Sequence, residues 1–342
     1  MKLRKTLWLA FAGMAIALLL GACGGGSDDS SSSSGGSGGP AIKLGFSAWP
    51  GWFPWQVAEE AGIFKQAGVN VELVWFEGYL DSINALAAGQ LDANSQTLND
   101  TMASVAAGAD QKIVLVNDNS TGNDQIIVAS GINSTADLKG KRIGIEAGVV
   151  DHFLLALGLQ KAGMTLNDVQ VVNLETGAAA AAFAAGQLDA VGAFAPFTTN
   201  ALKRSGSKVL FSSKDFPGSI PDHLAVSGDL IKDRPADVQK LVNAWFMTVD
   251  YIKANPDKAL SIMAKRAGVS VAEYKEYDAG TTIFTLAQNT SAFTPGTDMT
   301  HLDFAAKEIQ KFLKDNKFIE KDLNLTTLFD SKFVAEYAKT KS

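Results

Sequence analysis

AAGQLDA fills residues 87–93 and returns unchanged at residues 184–190. Each copy closes a stretch of helical spacing and opens a short apolar run. Gly89 and Gly186 fall where a left-handed residue stops a helix, a conformation glycine adopts without steric cost. The surroundings repeat as well. KLGFSAW (43–49), VNVELVWF (69–76) and LDANSQ (91–96) read as strands, with helices expected over 54–67 and 79–88. KRIGIEA (141–147), VQVVNL (169–174) and LDAVGAF (188–194) read the same way, with helices over 151–162 and 177–185. A helix–glycine–strand junction is common, and the heptapeptide alone is open to chance similarity. The β-α-β context around both copies predicts two like α/β lobes, each a mainly parallel sheet flanked by helices.

After KVLFSS (208–213) and DHLAVS (222–227) the pattern is almost wholly helical through residue 339. Those helices need a sheet to cover, so the chain is expected to return to its first lobe. The expected division is 41–125 plus 225–342 for lobe one and 126–224 for lobe two. QIIVAS (125–130) and DHLAVS are then the crossing strands and the hinge.

The chain has 342 residues, 46% hydrophobic and 19% charged, the composition of a folded protein with a real core. Its net charge of −6 argues against nucleic acid as a partner, because phosphate binding needs a basic stripe. Lys2, Arg4 and Lys5 precede an apolar run from Leu7 to Leu20, which has the shape of a signal peptide over residues 1–22. The run ends in Leu20-Gly21-Ala22-Cys23, similar to a bacterial lipobox, so Cys23 is the expected lipidation site. An ordinary signal peptide with a chance cysteine is the alternative. Cys23 is the only cysteine, so no disulfide is expected. Residues 23–40 form a Gly/Ser-rich tract with the composition of a flexible tether.

Several segments resemble bacterial solute-binding lipoproteins of ABC importers, in the nitrate/sulfonate/taurine-type group. They are AEEAGIFKQAGVNVELVWF (58–76), INSTADLKGKRIGI (132–145), DHFLLALGLQKAGM (151–164) and AAFAAGQLDAVGAFAPF (181–197). FSAWPGWFPWQVAEEAG (46–62), VWFEGYLDS (74–82) and GVVDHFLL (148–155) look most like the branch associated with urea/guanidine carboxylase operons. The resemblance implies a two-lobed type II periplasmic binding fold with its ligand cleft between the lobes. It also implies an extracytoplasmic, lipid-anchored monomer that delivers a small molecule to a permease and ATPase complex. The fungal thiamine-precursor synthases share the broader fold, but their cysteine-rich motif is absent here.

Anion-binding members of the group are expected to use helix N-termini, where backbone N–H groups and the dipole favour negative charge. Here Asp100 and Asp151 stand at the openings of two helices read as matching. A carboxylate there repels sulfonate or nitrate, although Asp is also a good N-cap. Glu146, at the end of its strand, adds negative potential or is a solvated loop acid. Trp49 and Trp52 straddle Pro50-Gly51 in the first strand-to-helix turn, and indole faces attract cations. Trp55 and Trp75 read as packing residues. Gln96, Asn123 and Asp124 are candidate polar contacts, as are Ser47 and Asn94. His152 follows Asp151 and either lines the cleft or folds over its own helix. Phe194 begins an apolar wall.

His152, His223 and His301 stand in no metal-ligand spacing, and neither a P-loop nor a G-x-S-x-G elbow is present. No enzyme activity, cofactor or metal is expected. The predicted role is capture of a small nitrogenous, cationic, guanidinium-like solute by hinge closure. The alternatives are an alkylsulfonate, taurine, nitrate or thiamine precursor in the same role, or a sensor lobe for a membrane receptor.

Overall fold

The fold is that of a computed structural model, which describes residues 39–341. The expected signal segment, Cys23 and nearly all of the Gly/Ser tract lie outside the described residues. Eleven strands are present among those residues: β1 Ile42–Phe46, β2 Val71–Trp75, β3 Ala93–Thr97, β4 Gln111–Ser120, β5 Asp124–Val128, β6 Arg142–Ile145, β7 Gln170–Asn173, β8 Ala190–Phe194, β9 Lys208–Ser212, β10 Pro221–Ser227 and β11 Thr281–Ile283. They form a six-stranded sheet, β11-β4-β10-β3-β1-β2, and a five-stranded sheet, β7-β6-β8-β5-β9. In each, a central strand pairs in parallel with two neighbours: β1 with β2 and β3, β6 with β7 and β8. Each sheet then adds an antiparallel strand, β10 beside β3 and β5 beside β8. No helix among the described residues is long and apolar enough to cross a membrane.

The repeated heptapeptide does the same work in both sheets. Gly89 and Gly186 take φ of 70° and 79° and end their helices. Asp92 accepts the Lys43 N–H at 2.8 Å, and Asp189 accepts the Arg142 N–H at 2.9 Å, so each aspartate pins the start of its central strand. Leu91 covers Gly45 so closely that an added Cβ would stand 2.3 Å from Leu91 Cδ1; Leu188 covers Gly144 at 2.5 Å.

Four details differ from the sequence reading. The expected helix over 54–67 is two helices, Pro54–Glu60 and Ile63–Ala67, broken where Gly62 turns left-handed at φ 70°. Neither expected crossing strand crosses: β5 pairs only within the second sheet and β10 only within the first, and the crossings are the links 121–123 and 213–220. Strand β4 was not read at all, although it holds the apolar run Ile113–Val116 and pairs with β10 along its length. Finally, Asp100 and Asp151 are not on matching helices. Leu98–Ala106 follows β3, whereas Val150–Lys161 follows β6, the counterpart of β1.

Packing of the first sheet rests on indoles. Trp55 lies 4.6 Å from Trp245 between ring centroids, joining helix Pro54–Glu60 to helix Pro235–Ala254, and donates its N–H to Ser95 at 2.9 Å. Trp75 packs on Phe46 and Phe53 with Arg266 over its face.

Candidate functional site

In an open α/β sheet the space beyond the carboxyl ends of the parallel strands is where ligands bind. Both sheets contribute such ends to one cavity. The first supplies Trp49 and Trp52 from the turn after β1, Tyr79 from the helix start after β2, and Thr97 from the end of β3. Asp222 lies at the start of antiparallel β10, which brings it to the same edge. The second supplies Val150 at the helix start after β6, Phe194 at the end of β8, and Asp124 at the start of antiparallel β5. These residues line one small cavity of about 10 Å³.

Four aromatic rings close a circuit around this space. Trp49 and Trp52 lie 6.4 Å apart between centroids, Trp52 and Tyr79 5.3 Å, Tyr79 and Phe194 6.3 Å, and Phe194 and Trp49 6.2 Å. The Trp49–Phe194 and Tyr79–Phe194 contacts join residues of different sheets, so the circuit is completed only when the two sheets face each other.

Around the rings stand buried acids. Asp118 of β4 accepts the Trp49 indole N–H at 2.9 Å with Oδ1 and leaves Oδ2 unpartnered. Asp124 and Asp222 also leave Oδ2 unpartnered, and Asp151 leaves Oδ1. The Trp52 N–H faces Asp222 without closing a hydrogen bond. Asp100 accepts from Thr97 Oγ1 at 2.7 Å and Asn99 Nδ2 at 2.6 Å. Asp151 Oδ2 and Glu146 Oε2 both lie 2.9 Å from Thr176 Oγ1 and share its single proton. Neither Asp100 nor Asp151 is an N-cap; the cap positions are Thr97 and Val149.

Burial in low dielectric disfavours a carboxylate. It pushes Asp100 and Asp124 up to about 7, against the pull of their hydroxyl partners. Asp118, Asp151 and Asp222 are pushed well above the usual carboxylate range, first by burial and then by neighbouring acids, Asp124 acting on Asp118 and Asp151 and Asp118 acting on Asp222. Among the described residues no Lys or Arg is buried to offset them. No three of the described His, Cys, Asp or Glu residues are arranged to hold a metal ion.

The remaining sequence candidates take other positions. Glu146 is a tie rather than a loop acid: it accepts the Leu80 N–H at 3.0 Å and the Thr176 hydroxyl at 2.9 Å, linking the helix after β2 to the second sheet. Gln96 is consumed internally, donating to Thr101 at 2.8 Å and accepting from Asn94 at 3.1 Å. Asn123 braces the first crossing, donating to the Tyr277 carbonyl and to Thr281 Oγ1, both at 2.7 Å. His152 turns away from the cavity, its ring 4.9 Å from Phe318 and its Nδ1 accepting the Gly148 N–H.

Sequence reasoning missed Tyr79, Thr97, Asp118 and Asp222. A polar run, Asn117-Asp118-Asn119, directly follows the apolar run of β4 and was the available signal for Asp118. Asp222 opens DHLAVS, whose apolar residues read as a strand and carry no local sign of a site. Room for Asp118 comes from Gly51, where an added Cβ would lie 1.8 Å from Asp118 Oδ2.

A model of the family described as NMT1/THI5 like matches residues 49–259. The chain belongs to the NMT1/THI5-like family. A protein of Brucella abortus, named only as a binding protein, is 31% identical to this NMT1/THI5-like chain over 213 residues, 61% of this chain and 66% of the relative, just under two thirds of that relative's length. The taurine-binding periplasmic protein of Escherichia coli is 27% identical over 273 residues, 77% of this chain and 83% of the relative. The fold of this NMT1/THI5-like chain is that of the alkanesulfonate-binding protein from Xanthomonas axonopodis pv. citri, solved bound to MOPS. That likeness has a TM-score of 0.72 at 19% identity and covers 86% of this chain and 98% of the other. The desulfurization enzyme DSZB shares the fold at a TM-score of 0.60 and 18% identity, covering 88% of this chain and 100% of the other. The two-sheet architecture is thus the periplasmic-binding-protein fold.

Proposed function

We propose that this chain is the extracytoplasmic solute-binding component of an ABC importer, and that its ligand is a small nitrogenous cation of the guanidinium kind. The solute-binding role is supported by the relatives' names and by a cavity enclosed between two sheets. The observation that carries the ligand class is the cavity's charge. Five buried aspartates, four with an unpartnered oxygen, stand around a circuit of aromatic rings with no buried Lys or Arg. Aromatic faces attract a cation by about 0.5–2 kcal/mol when it is desolvated. Charge-assisted hydrogen bonds to carboxylates contribute about 1.5–3 kcal/mol each. In this reading Trp49, Trp52, Tyr79 and Phe194 enclose the cation, and Asp118, Asp124 and Asp222 accept its N–H groups. Asp100 and Asp151 add negative potential. The likeness of FSAWPGWFPWQVAEEAG to the carboxylase-associated branch belongs to the same proposal.

The two sheets with their helices are proposed as lobes that close over the ligand, the links 121–123 and 213–220 serving as hinge in place of the boundaries expected at 125 and 225. Cys23 is proposed as the lipid anchor of a monomer that hands its solute to a permease. The role is binding rather than catalysis.

A second reading keeps the role and changes the ligand to taurine or an alkylsulfonate. The names of the taurine-binding and alkanesulfonate-binding relatives favour it over guanidinium. Aspartates held protonated by burial would then donate to the sulfonate oxygens.

Thermal melting of residues 41–342 with guanidinium, methylguanidine, urea, taurine, an alkylsulfonate and nitrate separates the two. A ligand at 100 times its Kd stabilises by about 2.7 kcal/mol and raises Tm by a few degrees. Stabilisation by guanidinium and not by taurine supports the cationic reading. The reverse pattern overturns it in favour of the sulfonate.

A further inference from the structure

Asp118 and Asp222 stand opposite each other across the antiparallel pair β4–β10, both fully buried, at the edge that faces the cavity. Each leaves Oδ2 without a hydrogen-bond partner, and their paired register puts the two side chains on the same face of the sheet. No titratable group around them supplies a compensating positive charge. Asp100 comes from the helix after β3, Asp124 from β5, and Asp151 from the helix after β6. Tyr79 and Tyr274 are neutral phenols, and Tyr274 is occupied by the Pro50 carbonyl at 3.1 Å. His223, the next residue along β10, is buried with both ring nitrogens unpartnered, and burial pushes its pKa down to about 3, so it carries no charge. Two adjacent buried carboxylates without a cation cannot both ionise.

We propose that Asp118 and Asp222 share one proton in the empty cavity and surrender it to solvent when a cation enters, so that capture is a cation-for-proton exchange. This rests on the cationic reading of the cavity. The exchange is balanced: one positive charge enters and one proton leaves, and the buried pair keeps the same single net negative charge throughout. Burial raises both groups and so favours the protonated pair while the cavity is empty. A consequence is discrimination by charge. Guanidinium completes the exchange, whereas neutral urea, of similar shape and with similar N–H donors, leaves the proton where it is.

The test is calorimetric titration of guanidinium chloride into the protein at a fixed pH near 6.5, in buffers of different ionisation enthalpy. The dependence of heat on buffer counts protons released. At least one proton per guanidinium is expected, with affinity rising up to about tenfold per pH unit for each proton released. Asp222→Asn is expected to lower the count by about one. Asp118→Asn is expected to lower the count by the same amount, so the attribution to the pair does not depend on one variant folding. Guanidinium binding with no proton released overturns the exchange and leaves the cationic reading intact. An unchanged count in a folded Asp222→Asn protein also overturns it. Failure of guanidinium to bind a protein that binds taurine overturns both.

Discussion

Asp118 occupies the space that a side chain on Gly51 would need. A Cβ built on Gly51 would meet Asp118 Oδ2 at 1.8 Å and Oδ1 at 2.5 Å. Gly51 is not in the left-handed region, so its small size, rather than its backbone, is what the site uses. Gly51→Ala should therefore keep the turn and displace the carboxylate, breaking the Trp49–Asp118 hydrogen bond. Guanidinium affinity is expected to fall at least about tenfold, the loss of one charge-assisted bond. Calorimetric Kd values with a circular-dichroism check on folding measure this, and an unchanged Kd would remove Asp118 from the site.

Glu146 holds the two sheets together through the Leu80 N–H and the Thr176 hydroxyl. Glu146→Ala removes both bonds at a position outside the aromatic circuit. Ligand dissociation should accelerate by roughly ten- to a hundredfold, from about 1.5–3 kcal/mol of lost contact, while association changes little. Stopped-flow tryptophan fluorescence reads the two rates separately. A variant slowed only in association would contradict a role in holding the closed form.

Stability of the empty protein should depend on pH in an unusual direction. Asp100 and Asp124 are raised from 3.8 to about 7, so between those values the folded state holds protons that the unfolded state releases. Stability is then lost as pH rises from about 4 through about 7. Asp118, Asp151 and Asp222 are raised in the same direction and add to the loss. His223 acts oppositely, since its depressed pKa makes stability fall as pH drops from 6.5 toward 3, and His152, also lowered by burial, acts in the same sense, but they are two groups against five aspartates. Denaturant melts from pH 5 to pH 8 should show declining stability, with saturating guanidinium flattening the decline. A rise across that range would mean the aspartates ionise freely in the fold.

Gly45 and Gly144 should respond alike to substitution, because Leu91 and Leu188 cover them at nearly the same distance. Each Gly→Ala change is expected to cost about 1–3 kcal/mol through overpacking. Pairing Gly45→Ala with Leu91→Ala should recover part of that loss, giving a coupling above about 0.5 kcal/mol in a double-mutant cycle. Additive losses would show that the leucine does not set the glycine.

The order of elements was legible because its signals are local. A helix-stopping glycine, an alternating apolar run and a polar link are each read within about ten residues, and AAGQLDA repeats all three. Trp49, Trp52, Asp124 and Phe194 were found as cavity residues for the same reason: each sits at a strand end or a turn visible in the chain. Local signals cannot say which strand ends meet. Asp118 and Asp222 come from strands that are distant in sequence and become neighbours only through the β4–β10 pairing. His152 looked like a cleft residue until Phe318, from the far end of the chain, gave its ring a different contact. Gln96 and Asn123 were spent on partners that the sequence does not reveal. The amino-acid order thus determined the two βαβ units and the junction they share. Tertiary structure decided which carboxyl groups would be buried together without a counter-charge, because burial and pairing depend on every segment packed around them.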